Sequence, residues 1–169
     1  MKKSSMRHLW ASWRMKYIQH GPKENGCVFC SALAEHDSAE NLIVMRGKHA
    51  CVIMNKYPYT SGHVLITSID HKASLVDLAP RTRAEMMELV TQFMTILNAI
   101  YNPEGFNVGI NIGKAAGAGV LGHIHIHLVP RWNGDTNFMS TVGETRVLPE
   151  TLAETYRRIR EAWEQSKNT

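Results

Sequence analysis

The stretch that decides the fold is GHIHIHLVPRW, residues 122–132. It contains His123, His125 and His127 at a spacing of two residues, which on a β-strand directs all three imidazoles to one face. The apolar residues between them face the other side, so the strand has a core side and a polar side. Histidine is not a typical strand former, and three in line indicate a chemical surface that titrates near neutral pH. The alternative is a half-buried strand whose polar face only meets solvent.

The chain resembles the histidine-triad family of nucleotide hydrolases and transferases, whose motif alternates three histidines with apolar residues. Residues 123–129 match every position of that motif. The resemblance continues through residues 27–30, 54–55, 61–64, 111–113, 116–119 and 130–138. The last of these segments looks like the bacterial branch that contains fragile-histidine-triad-like hydrolases and diadenosine tetraphosphate phosphorylases. Within that branch the motif does not choose one activity.

Length and composition predict one compact domain with short additions. The chain has 169 residues, and 44% of them are hydrophobic. We expect an N-terminal arm over residues 1–26 that contains Trp10 and Trp13, a catalytic domain over residues 27–138, and a C-terminal extension with a helix over residues 139–169. No window is apolar enough to span a membrane, so we expect a cytoplasmic protein.

The charge of the chain favours a small anionic partner. The formal net charge is +4, and the basic residues are spread out instead of forming a run. A phosphorylated small molecule fits this distribution as well as a nucleic acid does. Nucleic-acid end processing would need a larger basic or aromatic platform, so we do not expect a nucleic-acid partner.

The order of predicted elements indicates an α+β fold with an antiparallel sheet. Apolar runs predict five strands, over residues 42–46, 50–55, 63–68, 106–112 and 124–129. A capping box at Thr82 and Glu85 predicts the start of a long helix that ends before Asn102, and a second box at Thr151 and Glu154 predicts a C-terminal helix. The resemblance implies a five-stranded unit with one long helix, usually paired into a continuous ten-stranded dimer. We expect a homodimer formed around the long helix and an edge strand.

The resemblance also assigns roles to four histidines. His125 matches the nucleophile, which attacks an α-phosphate to form a covalent nucleotidyl-histidine. His123 and His127 flank it on the same face, with His127 toward the phosphate and the leaving group. His63 matches a fourth histidine that fixes the tautomers of the triad. A simple turn-end histidine is the alternative for His63.

Nucleoside binding needs an apolar slot and hydrogen-bonding partners. Ile53 and Met54 are candidates for the slot that holds the base. Asn55 matches a ribose-binding residue of the family, although it also suits an ordinary turn before Tyr57 and Pro58. Asn111 matches a polar residue near the ribose and the α-phosphate.

Phosphate binding is predicted for the glycine-rich loop of residues 113–119, where backbone N–H groups can form a nest for an anion. Gly117 and Gly119 are the candidate contacts, and Gly119 takes the place of a Ser or Thr that the family often has. Such a loop is also a common connector. Lys114 and Arg131 are further candidate phosphate contacts, with a solvated surface charge as the alternative.

A Cys-x-x-Cys pair, Cys27 and Cys30, has the spacing at which two thiolates bind one zinc ion, but two further ligands are needed. The resemblance implies His71 and His123 as those ligands. Such a closed Cys2His2 site would be structural, and no organic cofactor is implied. Two buried thiols in a reducing cytosol are the alternative, and Cys51 is interpreted as a core residue.

These observations favour an enzyme that transfers a nucleoside monophosphate from a dinucleoside polyphosphate or a related nucleotide to water or to phosphate. The same nucleophile serves both acceptors, so spacing alone does not separate hydrolysis from phosphorolysis. A nucleotide-binding regulator with slow turnover is the non-enzymatic alternative. The three intact histidines favour turnover.

Overall fold

A computed structural model describes residues 26–135 and 148–167. These residues form a five-stranded antiparallel sheet with the strand order β1-β2-β3-β5-β4, which confirms the predicted α+β class. The strands are β1 (Ile43–Arg46), β2 (Ala50–Met54), β3 (Val64–Ser68), β4 (Gly105–Ile110) and β5 (His125–Arg131), and the helices are α1 (Val28–Ala34), α2 (Pro80–Tyr101) and α3 (Leu152–Ser166). The predicted arm up to residue 25 and the boundary at residues 138–139 lie outside the described residues.

The two faces of the sheet have different roles, because one packs in the core and the other carries the histidines. Strand alternation puts Val52, Ile66 and Ile126 on one face, where they are buried in the core that α2 covers. The opposite face carries His125, which pairs with Thr67 of β3, and His127, which pairs with Leu65. The histidine strand therefore separates an apolar core from the chemical face, as its period predicted.

The long helix α2 starts earlier than the sequence indicated. The capping box at Thr82 was a wrong prediction, because the helix begins at Pro80 and its N-cap is Ala79, which has no side-chain cap. Proline suits the first helical position because its fixed φ is already helical and its missing N–H has no intrahelical partner there. Thr82 is buried instead, and the Glu85 carboxylate accepts a hydrogen bond from the backbone N–H of His49.

The C-terminal helix α3 begins where its capping box predicted, since the Thr151 hydroxyl accepts from the backbone N–H of Glu154 at 3.2 Å. Trp163 stacks on Phe93 of α2 with ring centroids 5.5 Å apart, which fixes α3 against the core. No helix in the parts of the chain that the structure describes has the length and apolar character needed to cross a bilayer.

Helix α1 brings the Cys-x-x-Cys pair to the sheet. Its C-terminal carbonyls lack intrahelical partners, and the Arg46 guanidinium of β1 donates to the carbonyls of Leu33 and Glu35, each at 2.7 Å. Arg46 also forms an ion pair with Asp37. This anchoring holds the short helix in place beside β1.

Candidate active site and cysteine–histidine cluster

Among the described residues, one ring nitrogen of the central triad histidine has no hydrogen-bond partner. His125 lies at the start of β5 and is 4% exposed, and its Nδ1 lies 3.0 Å from the backbone carbonyl of His123. A carbonyl oxygen only accepts hydrogen bonds, so Nδ1 carries the proton and Nε2 keeps its lone pair. Burial lowers the pKa of His125, which keeps the imidazole neutral. A neutral imidazole with an unprotonated Nε2 is a competent nucleophile.

A chain of hydrogen bonds assigns the tautomer of the third histidine. The backbone N–H of Tyr59 donates to Nδ1 of His63 at 3.1 Å, so the proton of the neutral His63 ring lies on Nε2. That Nε2 lies 3.0 Å from Nδ1 of His127, to which it donates. His127 therefore carries its own proton on Nε2, on the side of the ring away from His63.

The pKa of His127 is also lowered, to about 4, chiefly by burial and further by repulsion from His125. Its ring centroid lies 4.9 Å from that of His125. The two imidazoles are therefore neutral near pH 7 in complementary forms. His125 offers a lone pair, and His127 offers an N–H donor beside it.

The four predicted metal ligands meet in one cluster. The ligand atoms of Cys27, Cys30, His71 and His123 all lie within 4.8 Å of one another. Nδ1 of His123 lies 3.3 Å from Sγ of Cys27, and Nδ1 of His71 lies 3.2 Å from Sγ of Cys30. Tetrahedral zinc with its usual bond lengths places a sulfur and a nitrogen ligand roughly 3.5 Å apart, so these residues fit such an ion.

The hydrogen bonding behind the cluster also suits a metal. Nε2 of His123 lies 2.8 Å from the backbone carbonyl of Ser68, so it carries the ring proton and leaves Nδ1 free toward the thiols. A ligating histidine typically donates its other N–H to a carbonyl in this way. The ring of Phe29, between the two cysteines in sequence, packs on the rings of His123 and His125 at 5.3 and 5.0 Å.

The sheet brings only part of the predicted base slot to the triad face. Ile53 pairs with Leu65, which pairs with His127, so these three residues share the face that carries the triad. Met54 is the next residue along β2 and points to the opposite face. There it lines a small cavity of about 130 Å³ together with Leu152.

The two predicted asparagines lie at opposite sides of the triad. Asn55 follows β2 and forms the turn that was its alternative interpretation, because its Oδ1 accepts from the backbone N–H of Tyr57 at 2.9 Å. Its Nδ2 also lies 3.3 Å from Nδ1 of His63, so the residue contacts the histidine relay. Asn111 follows β4, one residue after the pairing of Ile110 with Ile126, which places it on the side of His125.

The phosphate-binding candidates differ in whether their N–H groups and charges already have partners. The glycine-rich loop folds into a short 3-10 turn, Lys114–Ala116, and the N–H of Gly117 donates to the carbonyl of Lys114 at 3.0 Å. The amide of Gly117 is thus already used within the loop, whereas Gly119 lies farther along, toward the triad strand. The Arg131 guanidinium donates to Asp135 at 2.8 Å and also to Asn107, so its charge is paired.

Sequence reasoning missed two aromatic neighbours of the triad. Phe29 packs on His125, and the Tyr59 ring stacks on His127 with a centroid distance of 6.0 Å. Phe29 carried a signal, because it lies between two cysteines that were predicted to share a ligand set with His123. Tyr59 carried none, because its position depends on how the turn before β3 folds.

Comparisons with known proteins identify the family of the chain. The model of the HIT domain family matches residues 37–134. An AP-4-A phosphorylase of Mycobacterium tuberculosis is 31% identical over 169 residues, which cover 96% of this chain and 87% of that protein. A Zn-bound histidine triad family protein from Mycobacterium smegmatis has a TM-score of 0.69 at 31% identity, with 85% of this chain and 96% of that chain covered. A hypothetical histidine triad nucleotide-binding protein from Sulfolobus tokodaii has a TM-score of 0.67 at 27% identity, with 83% and 94% covered. The chain belongs to the HIT domain family.

Proposed function

We propose that the protein is a nucleotidyl enzyme that cleaves dinucleoside polyphosphates, such as diadenosine tetraphosphate, through a nucleotidyl-His125 intermediate. The observation that carries the proposal is the pair of opposite tautomers on β5. His125 has a free lone pair on Nε2, and His127 has a proton on Nε2 beside it. The similarity to an AP-4-A phosphorylase supports the same substrate class.

In the first step Nε2 of His125 attacks the α-phosphate, and the bond from that phosphorus to the bridging oxygen breaks. The electron pair goes to the bridging oxygen, which accepts a hydrogen bond from Nε2–H of His127. Donors must also face the nonbridging phosphate oxygens, where charge develops. Free N–H groups of the glycine-rich loop are the candidates for that role. In the second step an acceptor takes the nucleoside monophosphate and frees His125.

Inorganic phosphate is the acceptor that the named relative supports. The test is an incubation with diadenosine tetraphosphate, with and without inorganic phosphate, followed by separation of the products. ADP plus ATP formed only with phosphate indicates phosphorolysis, and AMP plus ATP indicates hydrolysis. Binding of the nucleotide without products would contradict the enzymatic function and support the slow-turnover regulator.

We further propose that the cysteine–histidine cluster holds a structural zinc ion. All four protein ligand positions of a closed tetrahedral site are supplied by Cys27, Cys30, His71 and His123. Such an ion would tie α1 to the start of β5. The Zn-bound relative from Mycobacterium smegmatis supports the choice of metal.

We propose a homodimer that pairs through the β4 edge of the sheet. The opposite edge, β1, is covered by α3, because the Tyr156 hydroxyl donates to the carbonyl of Ile43 at 3.0 Å and Arg160 donates to that of Val44. On the β4 edge, Val108 is 45% exposed. Open strand edges are sites of pairing with a second chain. Light scattering at micromolar concentration tests this, and a fully active monomer would contradict it.

A further inference from the structure

The His127 imidazole has several neighbours among the described residues. Leu65 lies opposite it on β3, and Nε2 of His63 lies 3.0 Å from its Nδ1. The Tyr59 ring stacks nearly parallel to it, with centroids 6.0 Å apart, and the His125 ring lies 4.9 Å away along the strand. Within the sheet, the strand on the other side of His127 is β4.

On β4, the residue paired with His127 is Gly109. Gly109 is exposed, and no atom of the described residues lies within 4 Å of a Cβ atom added to it. Its φ lies outside the left-handed region, so the backbone conformation does not require glycine. Glycine weakens a strand interior, and there it often marks a place where a ligand comes close to the backbone. The space above Gly109 is therefore open next to the N–H donor of His127.

We propose that Gly109 keeps open the path of the leaving group and sets which sizes of leaving group the enzyme accepts. This inference rests on the proposed function. When the bond from Nε2 of His125 to phosphorus forms, the bond to the bridging oxygen breaks, and that oxygen leaves with the electron pair beside Nε2–H of His127. A side chain at position 109 stands next to this oxygen. A nucleoside polyphosphate that is still attached to the oxygen would collide with such a side chain. In adenosine 5′-phosphoramidate the bond that breaks runs from phosphorus to nitrogen, and the nitrogen takes the proton of His127 Nε2 and leaves as ammonia, which is small enough to pass the side chain.

The test compares Gly109→Val with Gly105→Val as a matched control. Gly105 lies on the same strand, pairs with Arg131 instead of His127, and also has open space at its Cβ position. Valine suits a β-strand, so both variants are expected to fold. The value of kcat/KM is measured for two substrates that donate the same adenylyl group, diadenosine tetraphosphate and adenosine 5′-phosphoramidate.

We expect Gly109→Val to lower kcat/KM for the tetraphosphate by about tenfold or more relative to the phosphoramidate, the scale at which small steric differences discriminate between substrates. Gly105→Val should leave the ratio of the two values unchanged. Equal losses on both substrates in Gly109→Val, or the same change of ratio in Gly105→Val, would overturn the inference while the proposed function stands. A wild-type protein that cleaves neither substrate would overturn the proposed function and this inference together.

Discussion

Replacing His63 by alanine should slow the chemical step without weakening substrate binding. His63 is 1% exposed, and it holds Nδ1 of His127 through a hydrogen bond of 3.0 Å. Without His63, Nδ1 of His127 becomes an unpaired buried acceptor, at a cost of about 1–3 kcal/mol. The proton of His127 is then no longer fixed on Nε2. If the transition state needs that proton, this energy corresponds to a fall in kcat of roughly 5- to 150-fold. KM should stay near its wild-type value because His63 acts through His127.

The assay is steady-state cleavage of diadenosine tetraphosphate, joined by ¹⁵N NMR of the histidine side chains. His63→Gln keeps an N–H donor and should restore part of kcat, together with the Nε2–H signal of His127. His36→Ala, at an exposed histidine away from the site, is the control and should match the wild type. The reasoning would be refuted if His63→Ala kept the wild-type kcat or changed only KM. It would also be refuted if His63→Gln were as slow as His63→Ala.

Four further outcomes follow from the site. His125→Asn should lower turnover by at least ~10³-fold, since a covalent nucleophile is lost, while AMP still binds in calorimetry; near-normal turnover would end the covalent mechanism. Asn55→Ala should weaken AMP binding by about tenfold if the amide binds ribose, and unchanged calorimetric affinity would leave only its turn role. The wild type should contain about one metal ion per chain, and Cys30→Ser should lose this ion and have a Tm lower by about 5 °C or more. Cys51→Ser is the control and should keep the metal. A metal-free wild type with normal stability would contradict the zinc site. In the folded protein the pKa of His127 is about 4, below the ordinary value of 6.5. Between these pH values the unfolded chain binds more protons than the folded one. The free energy of unfolding should therefore fall as the pH falls from 6.5 to 4. Urea titrations at matched zinc should give a slope that His127→Gln reduces by at most about 1.4 kcal/mol per pH unit, and equal slopes in the two proteins would refute the prediction.

Features that depend on spacing within one element were predictable from the sequence. The period of two in residues 123–129 predicted the two faces of β5. The resemblance implied that Cys27, Cys30 and His71 share a metal site with His123. The structure places these four residues together. The prediction for β5 succeeds because a strand fixes the direction of its side chains regardless of what surrounds it, whereas the prediction for the cluster rests on the resemblance.

Features that depend on how elements meet were not predictable in the same way. Met54 was grouped with Ile53, although neighbours on a strand point to opposite faces, and the register puts only Ile53 beside the triad. The neighbour of His127 on β4 became visible only when β4 was paired with β5 in the register that sets Gly109 opposite His127. A single glycine between Val108 and Ile110 forms no repeating pattern in the sequence. Only the register of β4 shows that it lies opposite His127.

His123 contributes to the two sites with different parts of one residue. Its imidazole faces the thiols, while its backbone carbonyl accepts a hydrogen bond from Nδ1–H of His125. Every amino acid has that carbonyl, so the orientation of the nucleophile does not depend on which side chain occupies position 123. In evolutionary terms the two sites are separable: a descendant of this chain could exchange His123 and its cysteines for apolar packing and give up the cluster, while inheriting the hydrogen bond that directs Nε2 of His125 outward.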